Sequence, residues 1–226
     1  MTWVKICATT NLLDAQESVA AGADALGFIF APSTRQIAAD TAREIIAALP
    51  ARIEKIGVFV NQTPKQVALL ARQVGLTGVQ LHGDEPAAEL AEYRGALGGG
   101  KLIKTLQARE LLAEGGERMV LAYLDAKRSI DAILLDSGGP LQRGGTGAAF
   151  DWQAALPLVQ KIKAVLPVIV AGGLTPENVS EAVRLFDPWG VDVVSGVEYE
   201  PGKKDETKLW SFVSTVRQSA SALRLS

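Results

Sequence analysis

The chain has one cysteine and one histidine among 226 residues, so the places of these two side chains matter for any polar chemistry it performs. Cys7 closes an apolar run at Trp3–Cys7, and His82 closes another at Gly78–His82. Asp136 follows Ile133-Leu134-Leu135 directly, and Arg35 stands just past Ala25–Phe30. A thiol can serve as nucleophile or base, and a carboxyl as proton donor or acceptor. Each residue also has a plain alternative. A lone cysteine is commonly a small buried hydrophobe. Asp136 could cap a turn, His82 could be a structural imidazole, and Arg35 an ordinary surface residue. Two glycine turns add a binding element: Ala171-Gly172-Gly173-Leu174 and Ser195-Gly196-Val197-Glu198. Gly172 and Gly173 let backbone N–H groups approach a ligand without a side chain between. Ser195 and Gly196 read as the start of a short helix whose N-terminus can hold an anion.

These residues need elements to hold them. Apolar, β-rich runs recur at Trp3–Cys7, Ala25–Phe30, Ile56–Val60, Gly78–His82, Leu102–Thr105, Ala132–Asp136, Val168–Ala171 and Val191–Val194. Helix-like stretches lie between them, with opening signals at Asn11, at Thr63-Pro64 before Lys65–Val74, and at Thr175-Pro176 before Glu177–Leu185. Alternation of this kind implies a parallel sheet of βαβ units. Eight units at roughly 28 residues each are close to the minimum for a closed barrel. The expected fold is therefore an α/β, single-domain (β/α)8 TIM barrel of the phosphate-binding type, spanning residues 1–226. A doubly wound sheet is the competitor, but Cys7-Ala8-Thr9-Thr10 lacks its usual Gly-x-Gly first turn. The least regular stretch is Leu106–Ser129, where Gly115-Gly116 interrupts the helical pattern. Gly95–Lys101 imitates a P-loop, yet it leaves a helix and enters a strand, the reverse of the required context.

Catalytic groups of such barrels sit at the carboxyl ends of the strands. Strand alternation puts Trp3, Lys5 and Cys7 on one face, Gln80 and His82 on one face, and Leu134 and Asp136 on one face. The opposite sets are apolar and suit the helix side, so these residues point into the barrel. Lys5 would lie below Cys7, where a bare ammonium is costly, and Asp192 has the parity to pair with it. Cys7, His82, Asp136 and Arg35 all fall at one rim. The glycine turns after strands seven and eight are where this architecture grips phosphate.

Charge removes several alternatives. The 23 Lys and Arg nearly balance 25 Asp and Glu, which argues against nucleic acid or an anionic membrane surface as partner. No run approaches the roughly 20 apolar residues of a membrane span. The start Met1–Lys5 has no signal-peptide layout, and the expected location is the cytoplasm. One cysteine excludes an intramolecular disulfide and, with one histidine, argues against zinc.

With these residues in view, the sequence resembles the phosphoribosylanthranilate isomerase family. The likeness runs through Lys5-Ile6-Cys7, Ser33-Thr34-Arg35, Val79-Gln80-Leu81-His82-Gly83, Leu134-Leu135-Asp136-Ser137, Gly144-Gly145-Thr146-Gly147 and Phe150-Asp151-Trp152. It continues through Ala171–Val179, Ser195–Glu198 and Pro201–Asp205. The resemblance implies Cys7 as general base and Asp136 as general acid. It implies Arg35 as anchor for an anthranilate carboxylate, His82 as a substrate contact, and phosphate on Gly172, Gly173, Ser195 and Gly196. It implies a small phosphosugar-anthranilate substrate and neither cofactor nor metal. Oligomeric state is not written in the chain, with a monomer slightly favoured. Ala8 stands where the family usually has Gly, and Val194 where it has the first serine of Ser-Ser-Gly. The methyl of Ala8 would restrict the turn if that residue needs positive φ.

The implied reaction is an Amadori rearrangement in tryptophan biosynthesis, and its two proton-transfer groups need opposite help. An electropositive mouth would favour the thiolate, and an apolar one the protonated acid. The nearest rival, the histidine-pathway Amadori isomerase, would favour aspartates ending strands one and five, where Cys7 and Thr105 are expected. A metal-dependent pentose-phosphate epimerase would need more His and Asp ligands. A non-catalytic phosphosugar-binding relative is the reading from a different class, which Cys7 and Asp136 oppose.

Overall fold

The structure, a computed structural model, describes residues 1–137 and 151–223. The Gly144–Gly147 motif and Phe150 lie outside the described residues. Eight parallel strands close into a barrel in sequence order. They are β1 (Trp3–Ile6), β2 (Ala25–Ile29), β3 (Glu54–Phe59), β4 (Gly78–Leu81), β5 (Lys101–Gln107), β6 (Ala132–Asp136), β7 (Val168–Val170) and β8 (Gly190–Val193). The barrel is closed by β1 pairing with both β2 and β8. Around it lie α1 (Leu12–Ala20), α2 (Ala39–Ala47), α3 (Pro64–Val74), α4 (Leu90–Leu97), α5 (Ala108–Leu111), α6 (Gly116–Asp125), α7 (Trp152–Lys163), α8 (Val179–Phe186) and α9 (Glu206–Leu223). A short hairpin of β9 (Glu198–Glu200) and β10 (Lys203–Lys204) follows β8.

Local chemistry accounts for the boundaries. Asn11 accepts from the Asp14 N–H to open α1, and Thr63 and Gln66 form a reciprocal capping box before α3, each satisfying first-turn donors that have no helical partner. The expected start of α8 at Glu177 moves to Val179, because Asn178 spends its side chain on the preceding turn. Its Oδ1 accepts from Thr175 N–H and its Nδ2 donates to Gly173 O. The irregular stretch after β5 resolves into two helices, α5 and α6, broken before Gly116. Gly98 and Gly100 form the turn from α4 into β5, which disposes of the P-loop lookalike.

The barrel carries two apolar layers. Outward-facing side chains such as Val4, Ile6, Leu26, Leu81 and Ile133 pack against the helices. Inside, Trp3, Ile56, Ile103, Leu134 and Ile169 fill the lower barrel. At the amino end Trp3 stacks on Trp189 at 5.0 Å, and the Lys101 ammonium lies over both rings. Filling the lower interior with hydrocarbon leaves the polar inward positions only the upper half. Among the described residues no helix is long and apolar enough to cross a membrane.

Candidate active site

Every inward position expected from alternation is found where the pleat puts it. Lys5 is fully buried, and its ammonium sits 2.9 Å from Asp192 on the adjacent strand. Burial opposes the lysine charge most strongly, but Asp192 and Cys7 together outweigh it and hold the ammonium above its ordinary range. Cys7 continues one step above Lys5, its N–H donating to Val193 O at 2.9 Å. Room for the sulfur comes from Gly27 on β2, where a Cβ would stand 2.4 Å from Sγ. No alanine fits there without moving the thiol.

The mouth does not favour the thiolate of Cys7 as an electropositive one would. Cys7 is 3% exposed, and burial pushes the thiol above its ordinary range despite the Lys5 charge beneath it. Desolvating a thiolate costs more than one ion-paired lysine returns.

Ala8 adopts φ 63°, in the left-handed region. The methyl group there costs about 1–2 kcal/mol relative to glycine. Ala8→Gly should therefore raise stability by about 1 kcal/mol, read from a denaturant midpoint, and leave turnover the same or better. Collapse of activity would mean that the mouth is built around the methyl.

Opposite Cys7, β4, β5 and β6 converge. The His82 ring has Nδ1 2.9 Å from Gln80 Nε2 and 3.2 Å from Thr105 Oγ1, with Nε2 3.9 Å from Asp136 Oδ2. Strand β5 runs two residues further than expected, so Gln107, not Thr105, ends it and stands in register with Asp136. Thr105 belongs to the layer below. Neither residue is the aspartate that the rival isomerase chemistry would want.

The turns after β7 and β8 meet beside Asp136 at the end of β6. A cleft there is lined by Asp136, Gly172, Gly173, Asp192, Val194 and Ser195. Gly172 has φ 77°, and a Cβ on it would stand 2.2 Å from Ser137 N. This glycine therefore has a packing reason as well as room for a ligand. The expected short helix is only a three-residue 3-10 turn, Ser195–Val197.

Arg35 is not free at the rim. Its Nε and Nη2 make a forked pair with Glu198, with distances of 3.1, 2.9 and 2.7 Å. Glu198 also receives the Gly202 N–H and the buried Lys204 ammonium, each at 3.2 Å. Lys204 in turn donates to the Cys7 carbonyl at 2.5 Å. The β9–β10 hairpin thus ties Arg35 to the backbone of Cys7. Burial pushes the Glu198 carboxyl up, but hydrogen bonds from Arg35 and the charge of Lys204 outweigh it and hold the group below its usual range. Glu198 and Lys204 carry no assignment from sequence. The only signal was an acid and a lysine bracketing Pro201-Gly202, and nothing in one chain says that such a turn folds back onto strand one.

Fold and mouth together are those of a (β/α)8-barrel enzyme, with a thiol, an imidazole and a carboxyl at one rim and glycine turns beside them. A family model described as N-(5'-phosphoribosyl)anthranilate (PRA) isomerase matches residues 4–215. The chain is 41% identical over 219 residues to the N-(5'-phosphoribosyl)anthranilate isomerase of Chlorobaculum parvum, covering 96% of each. The crystal structure of phosphoribosyl anthranilate isomerase from Thermotoga maritima superposes with a TM-score of 0.81 at 38% identity, covering 96% of this chain and 100% of that one. A phosphoribosyl anthranilate isomerase in complex with reduced 1-(o-carboxyphenylamino)-1-deoxyribulose 5-phosphate gives 0.78 at 37% identity, with the same coverage. The chain belongs to the N-(5'-phosphoribosyl)anthranilate isomerase family.

Proposed function

We infer that the chain catalyses the Amadori rearrangement of N-(5-phosphoribosyl)anthranilate to 1-(2-carboxyphenylamino)-1-deoxyribulose 5-phosphate, a step of tryptophan biosynthesis, at this mouth. The observation that carries the reading is that Cys7 and Asp136 stand at the carboxyl ends of β1 and β6 of one closed barrel, in a chain of this family. Asp136 in its protonated form gives its proton to the furanose ring oxygen. The C1–O bond breaks, and the nitrogen lone pair makes the Schiff base. Cys7 as thiolate then takes the proton from C2, and its electron pair neutralises the iminium as the enolamine. Tautomerisation then moves the enol O–H proton to C1 as the ketone forms. The proton gained by Cys7 replaces, through solvent, the one Asp136 gave up, so the product has the substrate's atoms and both groups are reset.

Binding follows from fixed charges. The phosphate sits against Gly172, Gly173, Ser195 and Gly196, and the carboxylate meets Arg35, with His82 contacting the substrate between them. Glu198 holds the guanidinium plane through Nε and Nη2, which presents the remaining edge in a set orientation. Two anionic ends bound on opposite sides place the reacting carbons without using the thiol for binding.

Complementation of a tryptophan auxotroph lacking this isomerase tests the reading. The native gene should restore growth and a Cys7→Ala version should not; failure of the native gene would refute it. Arg35→Met should mainly raise KM, with a smaller effect on kcat. It should also lower stability by about 1–3 kcal/mol, because a buried carboxylate loses charged donors. A large kcat loss at unchanged KM would remove the anchor assignment. Relatives include a dimeric enzyme, the one from Thermotoga maritima. For this chain we keep the monomer as the slightly favoured state.

A further inference from the structure

We propose that Gln80 fixes the tautomer of His82, so that the ring turns an N–H rather than a basic lone pair toward Asp136 and the substrate. This deepens the reading of Asp136 as general acid and rests on it. Gln80 and His82 leave the same face of β4, two residues apart, with Gln80 one layer below the mouth and 1% exposed. The Gln80 amide nitrogen stands 2.9 Å from His82 Nδ1 and 3.2 Å from Thr105 Oγ1. Thr105 Oγ1 is itself 3.2 Å from the same Nδ1. An amide N–H and a hydroxyl thus converge on one ring nitrogen. A nitrogen met by an N–H offers its lone pair, so the neutral ring carries its proton on the other nitrogen, Nε2.

Nε2 is the atom 3.9 Å from Asp136 Oδ2, and its state bears on the chemistry. Imidazole ordinarily titrates near about 6.5 and an aspartate near about 3.9. A lone pair on Nε2 would therefore be a stronger base than the carboxylate beside it. The proton meant for the sugar oxygen would pass to the ring instead, leaving an imidazolium–carboxylate pair. A protonated Nε2 cannot accept it. It turns a donor toward the carboxyl and the substrate, so the ring cannot compete with the sugar oxygen for the acid's proton. Gln80 touches no reacting atom, so it is a positioning residue. Its amide is the functional feature: a glutamate of the same shape would only accept, would call for a proton on Nδ1, and would free Nε2 as a base or charge the ring.

The single histidine makes the test unambiguous. Ring-nitrogen NMR of histidine-labelled native protein, on the alkaline side of the ordinary imidazole range, should show a protonated Nε2 and a lone-pair Nδ1. A proton on Nδ1 in the native protein overturns the proposal, and this measurement needs no variant. Gln80→Glu should move the proton to Nδ1 or protonate both nitrogens. Its kcat should fall by about tenfold or more, part of the roughly 10²–10⁴ that a positioned proton donor supplies, with KM changed by less than about threefold. An unchanged tautomer, or an unchanged kcat in a variant whose tautomer has moved, would also overturn it. Failure of the parent reading looks different: full activity in Asp136→Asn would remove the acid role and leave the native tautomer as measured.

Discussion

Asp136→Asn should lower kcat by about 10²–10⁴ and leave KM within a few-fold. The carboxamide has the same shape, so it keeps the register with Gln107 and the approach of His82. It cannot deliver a proton to the leaving ring oxygen. The C1–O bond must then break with charge developing on oxygen, and the rate falls to what geometry alone supports. Binding should persist, because the proposed holds on the charged ends of the substrate, Arg35 and the turns after β7 and β8, are untouched. Steady-state kinetics under saturating substrate reads the effect directly. A variant with native kcat would show that the proton comes from elsewhere. A variant with native kcat and a large rise in KM would mean that Asp136 binds rather than donates.

Alkylation of Cys7 should abolish turnover at one label per chain, since no other thiol exists to share the reagent. The structure adds conditions to that expectation. Cys7 is nearly enclosed, and burial raises its pKa, so labelling of the folded protein should be slow near neutrality. Only the thiolate reacts, so the rate should climb about tenfold per pH unit until the thiol titrates, above the ordinary value of about 8.5. A product analogue bound across the Arg35 and Gly172–Gly173 sides should slow labelling and inactivation together. Folded, fully alkylated protein that still turns over would end the assignment of Cys7 as base. The same shift has a stability consequence. A thiol raised in the folded state contributes stability below its unfolded pKa, and that contribution is lost as pH rises through the folded value. Native protein should therefore lose stability in the alkaline range relative to Cys7→Ala, where the titrating group is absent.

Strand alternation alone led to the inward set. Cys7, Gln80, His82, Leu134 and Asp136 follow from a period of two in runs whose other face is continuous hydrocarbon. The buried Lys5–Asp192 pair followed as well, because a charged inward position in a filled barrel must have a partner. Sequence by itself thus determined the closed barrel and the rim at which Cys7, His82 and Asp136 gather. Ends and long-range ties were another matter. A strand stops where its ladder partner stops, so Gln107 became visible as the end of β5 only through its pairing with Asp136. The helix after Thr175-Pro176 starts late because Asn178 finds Gly173 and Thr175, a choice between two local hydrogen-bond sets that residue types do not rank. Ala8 shows its strain only once φ is known. The thiol's raised pKa needed the depth of burial, which no single residue reports. Above all, the chain Arg35–Glu198–Lys204–Cys7 joins residues almost 200 positions apart. Such ties have no period and no spacing in the sequence. They exist because closing the barrel brings strand eight beside strand one, and folds the hairpin that follows it onto the backbone of Cys7.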